Sequence, residues 1–220
     1  MRGQRFAAFL FDMDGTIVNS IEIAENAWGD WARRHGLNVA EVTHAMHGVR
    51  AAETIARFAP PGTDIDQEVD LLTEAEFQAI DKIRQIGDAA RFLSSLPRDR
   101  WAIVTSAPHR LASQRITAAG LPMPDILITA EDVTAGKPAP DCFLAAAKRL
   151  GFDASDCLVW EDAPAGIAAG KAAGAKVMIV TETHKAPADV PGQSIINYSN
   201  LACDQDADGS LILRDMTVSG

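Results

Sequence analysis

The sequence predicts an α/β fold in which a parallel sheet core carries an all-helical insertion. An apolar run lies at residues 6–11, residues 19–86 contain no convincing strand, and short apolar runs alternate with helical patterns after Trp101. Such alternation is typical of strand–helix–strand crossovers that build a parallel sheet. We therefore expect a Rossmann-like core formed by residues 1–18 and 87–220, with residues 19–86 as an inserted helical cap.

The first predicted strand ends in acidic residues. The apolar run at residues 6–11 is followed by Asp12-Met13-Asp14-Gly15-Thr16. Because a strand has a period of two, Asp12 and Asp14 project to the same side. Two adjacent carboxylates repel unless a cation or a proton lies between them, and a divalent metal with oxygen ligands is the obvious compensator. A carboxylate held by magnesium can attack phosphorus while its neighbour moves the proton, although this string alone also fits an acidic turn.

The cap is predicted to consist of several helices. The first is expected to start at Asn19, whose side chain can cap it with Glu22 as the capping-box partner, and to stop at Gly36. Further helices are expected over residues 39–46, after residue 50, and over residues 66–79. Pro-Pro-Gly at residues 60–62 is the helix breaker between the last two.

Later segments place polar side chains where predicted strands end. Residues 101–104 lead into Thr105-Ser106, a lysine at position 137 precedes a helix, and residues 157–160 lead into Glu161-Asp162. In an open parallel sheet the carboxyl ends of the strands meet at one crevice, where ligands bind. We therefore expect these side chains to lie close to the N-terminal acidic pair.

The last predicted element is a hairpin that turns at Asp208-Gly209. The acidic residues 204–209 resemble the start of a calcium-binding loop. The segment that follows them has the pattern of a strand, and no helix flanks it, so the hairpin is the better interpretation.

The order of these motifs resembles the haloacid dehalogenase superfamily, and within it the helical-cap phosphatases. Asp12–Thr16 matches the first motif of that superfamily, Thr105 the second, Lys137 the third and Glu161-Asp162 the fourth. The segments at residues 27–37, 47–50 and 101–106 are similar to those of bacterial sugar phosphatases and of the glycerol-phosphate and 2-deoxyglucose-phosphate phosphatases. The resemblance implies a magnesium-dependent hydrolase that acts on small sugar or polyol phosphates through an aspartyl-phosphate.

The resemblance also implies a role for each core residue. Asp12 is expected to be the nucleophile, and Asp14 the acid that protonates the leaving oxygen and the base that later activates water. The Thr105 hydroxyl and the Ser106 backbone N–H are expected to hold the phosphoryl oxygens. Lys137 is expected to neutralise both the phosphate and the nucleophile. An aspartate at position 14 favours an oxygen leaving group, because such a group needs a proton as it departs.

Metal and cap residues complete the predicted site. Magnesium is expected to bind oxygen ligands from Asp12, Asp14, Glu161 and Asp162. The ligand expected from Asp14 is its backbone carbonyl. In the cap, His47 and Arg50 lie in a His-Gly-x-Arg string and are candidates for contacting substrate. A solvated arginine and a helix-terminal histidine are the plainer alternatives for these two.

Two other functions compete with hydrolysis. A sugar-phosphate mutase of the β-phosphoglucomutase type shares the core and the cap, but mutases carry a cap histidine ten residues after the second aspartate, where this chain has Ala24. A catalytically silent binding protein should lack part of the motif set, and this chain retains all of it. Both observations favour a phosphatase.

Composition excludes other partners. The 220-residue chain has a formal net charge of −10 and a pI near 4.9, the opposite of the basic surface that nucleic-acid binders present. No apolar stretch is long enough to span a membrane. The three cysteines form no metal or redox motif, which fits a reducing cytoplasm. We expect a cytoplasmic monomer whose partner is a small phosphorylated sugar or polyol.

Overall fold

The computed structural model describes residues 4–184 and 192–216. The strands found there are β1 (Arg5–Phe6), β2 (Ala8–Phe11), β3 (Val18–Asn19), β4 (Arg84–Gln85), β5 (Trp101–Val104), β6 (Leu127–Ile128), β7 (Cys157–Glu161), β8 (Lys176–Val180), β9 (Gln193–Ile195), β10 (Leu201–Gln205) and β11 (Leu211–Asp215). The α-helices found there are α1 (Ile21–Arg34), α2 (Val39–Met46), α3 (Ala51–Phe58), α4 (Ile65–Phe77), α5 (Ala89–Ser94), α6 (His109–Ala118), α7 (Asp141–Leu150) and α8 (Pro164–Ala172).

The largest sheet confirms the predicted α/β class. Across the described residues it contains six strands in the order β6-β5-β2-β7-β8-β9, and each neighbouring pair is parallel. Strand β2 lies in the middle, between β5 and β7. Strands β5 and β6 extend the sheet on one side of β2, and β7, β8 and β9 extend it on the other. The carboxyl ends of β2, β5 and β7 therefore border the crevice where an open α/β sheet binds ligands.

Strand periodicity explains how β2 buries side chains on both faces of the sheet. Phe9 and Phe11 point to one face and Ala8 and Leu10 to the other, and each is fully buried. The first face packs an aromatic cluster in which the Phe11 ring stacks on Trp160 with centroids 5.4 Å apart. Each such buried side chain contributes roughly 1.5–3 kcal/mol. This packing fixes β2, and therefore the acidic residues that follow it.

The predicted first strand is divided between two sheets. Residues 5–6 form β1, which pairs with β11 in an antiparallel sheet of order β1-β11-β10, whereas β2 enters the parallel sheet. Between them the Ala7 N–H donates to the Asp156 carbonyl at 2.8 Å. The predicted hairpin is confirmed, because β10 and β11 are antiparallel and Gly209 takes the positive φ (+84°) that its turn requires.

Helices α1 to α4 lie between the short strands β3 and β4, which pair with each other where the helical segment leaves and rejoins the core. The sequence did not indicate β4. The predicted cap at Asn19 is wrong, because Asn19 belongs to β3 and α1 begins after Ser20, whose side chain makes no capping bond. The helices enclose their own core, in which Trp28 and Trp31 pack edge to face at 5.4 Å. No helix in the described part of the chain is both long and apolar enough to cross a bilayer.

Candidate active site

A buried lysine joins the ends of β2 and β7. Lys137 Nζ donates to Oδ1 of Asp12 at 2.5 Å and to Oε1 of Glu161 at 2.7 Å. The lysine side chain is only 1% exposed. Burial lowers the pKa of Lys137, but the charges of Asp12 and Glu161 outweigh it, so the net shift is upward and the ammonium group is retained. The structure therefore places these three predicted site residues next to one another.

Glu161 is fixed on both of its oxygens. Its second oxygen, Oε2, accepts the backbone N–H groups of Asp162 at 2.8 Å and Ala163 at 2.9 Å, just before α8 begins. A carboxylate at this place is favoured by the unpaired N–H groups of the helix start. Helix α8 approaches so closely that a Cβ on Gly166 would lie 1.4 Å from Oε1 of Glu161. Glycine is therefore required for this carboxylate to reach Lys137.

Three carboxylates converge at the predicted metal site. Among the described residues, Asp12, Glu161 and Asp162 each offer an oxygen, and these oxygens lie within 4.8 Å of one another. Burial, followed by the charge of Glu161, raises the pKa of Asp12 to about 7 and the pKa of Asp162 well above its ordinary value. The backbone of Gly15 packs so tightly here that a Cβ would lie 2.0 Å from Oδ2 of Asp162.

Buried, mutually repelling oxygen donors of this kind fit a hard divalent cation such as Mg²⁺. The Asp14 carboxylate is not part of that cluster in the described chain. Its predicted contribution through the backbone carbonyl stays a prediction.

Asp14 instead faces the cap. Its Oδ1 accepts the Ser20 hydroxyl at 2.6 Å and lies 2.8 Å from a terminal nitrogen of Arg115, and its Oδ2 lies 3.5 Å from the Thr105 hydroxyl. Arg115 also contacts Glu76, which comes from α4 of the cap.

The site also contains three residues that the sequence did not predict, namely Ser20, Arg115 and Glu76. A signal existed for Arg115, because it follows Leu111 by four residues and therefore shares the buried face of α6.

The predicted phosphate-binding residues lie at the end of β5. The Thr105 hydroxyl accepts the Ala107 N–H at 3.0 Å, which orients it beside Asp14. The Ser106 hydroxyl donates to the Gly48 carbonyl in the cap at 2.9 Å. The expectation that the Ser106 backbone N–H holds a phosphoryl oxygen stays a prediction.

A cavity of about 90 Å³ lies between the cap and these strand ends. Its walls include the core residues Asp12, Asp14, Thr105, Ser106 and Asp162, and the cap residues Ala24, Trp28, Met46, His47, Leu72 and Glu76. The predicted cap candidate His47 therefore borders the cavity, and its Nε2 lies 3.4 Å from a Glu25 oxygen. The enclosed volume is small, and its cap wall is largely apolar.

Arg50 is not among the described residues that line this cavity. Its terminal nitrogens donate to the carbonyls of Val133 at 3.1 Å and Thr134 at 2.9 Å, and its Nε donates to Glu53 at 2.9 Å. Glu53 in turn accepts the Gly136 N–H at 3.2 Å. These bonds occupy the guanidinium in a contact between cap and core. They do not support the expectation that Arg50 contacts the substrate.

Comparison with known proteins identifies the family. The model of the haloacid dehalogenase-like hydrolases matches residues 6–174. Hexitol phosphatase A of Escherichia coli (strain K12) is 42% identical over 191 residues, covering 85% of this chain and 87% of that protein. Glycerol-1-phosphate phosphohydrolase 1 of Saccharomyces cerevisiae is 36% identical over 187 residues, covering 80% and 75%. A solved hydrolase from Pseudomonas syringae is similar in structure, with a TM-score of 0.72 and 26% identity over 79% of this chain and 84% of that one. The chain belongs to the haloacid dehalogenase-like hydrolase family.

Proposed function

We propose that this chain hydrolyses phosphate monoesters of small sugars or polyols. One observation carries the proposal: the Asp12 carboxylate is held beside Lys137 at the end of β2, and Asp14, two residues later, borders the cap cavity. A fixed nucleophile with a proton carrier next to it is what displacement at phosphorus requires. The relatives named hexitol phosphatase and glycerol-1-phosphate phosphohydrolase support the same substrate class.

The chemistry follows from the two aspartates. An oxygen of Asp12 attacks phosphorus, the bond from phosphorus to the leaving oxygen breaks, and Asp14 gives its proton to that oxygen. Water then attacks the phosphorus of the aspartyl-phosphate and gives its proton to Asp14, which releases phosphate and restores Asp12. Lys137 offsets the negative charge of Asp12 and of the phosphoryl group throughout. The Thr105 hydroxyl and the Ser106 N–H orient the phosphoryl oxygens.

Magnesium is the cofactor that fits the carboxylate cluster. Asp12, Asp162 and the backbone carbonyl of Asp14 would hold it, with Glu161 acting directly or through water. When bound, the ion neutralises the phosphoryl charge and that of the surrounding carboxylates. Without such a cation the cluster retains repelling charges that Lys137 compensates only in part.

The size of the cavity favours substrates with a small leaving group. About 90 Å³ is enclosed between cap and core, and the cap wall is mostly apolar with polar groups near Asp14. Ala24 borders this space, at the position where the mutases carry their histidine. A methyl group cannot move a proton, so the cavity offers no support for the mutase alternative.

A substrate screen tests the proposal. Purified protein is assayed for phosphate release from glycerol phosphate, hexitol phosphates and hexose phosphates, each with Mg²⁺ and with chelator. We expect turnover of at least one of these with Mg²⁺, and none with chelator. Asp12→Asn should abolish turnover, whereas Asp99→Asn, at an exposed aspartate, should not change it. Turnover in chelator, or a fully active Asp12→Asn variant, would contradict the proposal.

A further inference from the structure

A buried arginine connects the proton carrier of the core to the cap. Arg115 lies on α6 and is 4% exposed. One of its terminal nitrogens lies 2.8 Å from Oδ1 of Asp14, and the other contacts an oxygen of Glu76 on α4. Glu76 is itself 7% exposed. A single guanidinium therefore spans from the reacting end of the core to a cap helix.

Because Arg115 and Glu76 are both buried, each charge needs the other as its partner. A buried charge that loses its partner is strongly unfavourable, so Arg115 and Glu76 hold each other in place as long as the cap contacts the core. The planar guanidinium fixes its donors relative to one another, so a shift at one terminal nitrogen also moves the other. The orientation of Asp14 thus depends on where Glu76 holds the arginine.

The second contact of Asp14 also comes from the start of the cap. Ser20, which donates to the same oxygen at 2.6 Å, is the residue immediately before α1. Two donors therefore converge on Oδ1, one beside the first cap helix and one held by the fourth. Within residues 4–184 and 192–216, the other oxygen, Oδ2, has only a long 3.5 Å contact to Thr105, which makes it the oxygen that can exchange a proton with substrate.

We propose that Arg115 is a positioning residue for Asp14, and that Glu76 makes this positioning depend on contact between cap and core. The inference rests on the proposed role of Asp14 as the proton carrier. This positioning gives the cap a function beyond enclosing the substrate. Asp14 is oriented for proton transfer to the leaving oxygen only when the cap lies against the core.

Two simpler roles make different predictions. Arg115 and Glu76 could only hold the cap against the core, in which case every substrate is affected alike. Alternatively, Arg115 could bind a substrate hydroxyl, because its Nε has no hydrogen-bond partner in the part of the chain described here. In that case only hydroxylated substrates are affected.

Three substrates separate these roles. Glycerol phosphate has hydroxyls and a leaving oxygen that needs a proton. Propyl phosphate also needs the proton but lacks hydroxyls. An aryl phosphate whose leaving group has a low pKa lacks these hydroxyls and departs without a proton. The quantity compared is kcat/KM, because it reports only the steps up to departure of the leaving group when that step is irreversible.

Arg115→Met should lower kcat/KM about 10- to 100-fold for glycerol phosphate and for propyl phosphate alike, the scale expected when an acid is misplaced. The aryl phosphate should change less than about 3-fold. Arg115→Lys should restore part of the loss for both alkyl phosphates. Glu76→Gln should show the same selectivity with a smaller loss, about 3- to 10-fold, because the arginine remains.

The chain supplies a matched control across the same boundary. Arg110 on α6 and Glu74 on α4 approach within 4.0 Å, but these side chains are 73% and 57% exposed, so water screens the pair. Arg110→Met and Glu74→Gln should change kcat/KM by less than about 2-fold for all three substrates.

Folding is checked separately, because removing one partner of a buried pair can destabilise the protein. Thermal unfolding of each variant establishes that it is folded at the assay temperature. The double variant Arg115→Met/Glu76→Gln removes both charges and should lose no more kcat/KM than Arg115→Met alone, since the two residues act as one unit.

Four outcomes overturn the inference: equal loss on all three substrates, loss on glycerol phosphate alone, multiplicative losses in the double variant, or no loss in any variant. Asp14→Asn, measured in parallel, keeps this failure distinct from failure of the proposed function. If Asp14→Asn spares the aryl phosphate and Arg115→Met does not, only the positioning role is wrong. If Asp14→Asn reduces alkyl and aryl substrates equally, Asp14 is not the acid.

Discussion

Replacing Gly166 by alanine should destabilise this protein, although the same change stabilises most helices. Gly166 lies within α8, where alanine is intrinsically better than glycine by about 1 kcal/mol. The structure predicts the opposite sign, because the new Cβ would lie 1.4 Å from Oε1 and 2.0 Å from Cδ of Glu161. The carboxylate must leave its place for the methyl group to fit.

The magnitude follows from the bonds that Glu161 makes. It accepts from Lys137 and from the backbone N–H groups of Asp162 and Ala163, all of them buried. Charge-assisted bonds contribute about 1.5–3 kcal/mol each, so losing two costs about 3–6 kcal/mol. After the helix gain is subtracted, Gly166→Ala should lower the free energy of unfolding by about 2–5 kcal/mol. Because Lys137 loses a fixed neighbour, kcat/KM should also fall at least about 10-fold.

Urea unfolding and phosphatase kinetics measure both effects. Gly29→Ala is the matched control: it lies inside α1, and its new Cβ would be 3.5 Å from the nearest atoms, an ordinary contact. That variant should be as stable as the parent or more stable by up to about 1 kcal/mol, with unchanged activity. A Gly166→Ala variant that is more stable than the parent and fully active would refute the described position of Glu161.

Three further predictions concern the site. Asp14→Asn should lower kcat/KM for alkyl phosphates about 10²- to 10⁴-fold and for aryl phosphates far less; equal losses would exclude Asp14 as the acid. Arg50→Ala should lower kcat/KM by one common factor for sugar and aryl phosphates, because Arg50 contacts core carbonyls; a loss confined to the sugar phosphate would place it on substrate. The pKa of Asp12 rises from 3.8 to about 7 on folding, so the folded protein binds this proton more tightly than the unfolded chain does. Metal-free protein should therefore lose stability as the pH rises from about 4 to 7, and Mg²⁺ should raise the melting temperature more at about pH 8 than at about pH 5; the reverse order would contradict the buried cluster.

Much of the fold and the core of the site could be predicted because local patterns specify them. The apolar run before Asp12 and the later strand-to-acid transition at Glu161 predict parallel strands whose carboxyl ends meet. The lysine at 137 was placed by motif order alone, and the structure brings it to both carboxylates.

What the sequence did not reveal depends on contacts between distant elements. The pairing of Arg115 with Glu76 joins residues from the core and the cap, and neither neighbourhood indicates the other. The bonds of Arg50 could not be predicted for the same reason, since the backbone carbonyls that it contacts lie in a loop more than eighty residues away. The division of the first strand between two sheets likewise depends on β11, near the end of the chain.

The most direct test of the account is to find where the phosphoryl group goes. The Asp14→Asn variant, given Mg²⁺ and an aryl phosphate, should form the aspartyl-phosphate readily but hydrolyse it slowly, because no base remains to take the proton from water. Rapid acid quenching and peptide mass spectrometry should locate one phosphoryl group on Asp12. Steady turnover without any phosphorylated peptide, or a phosphoryl group on another residue, would contradict the assignment of Asp12 as the nucleophile.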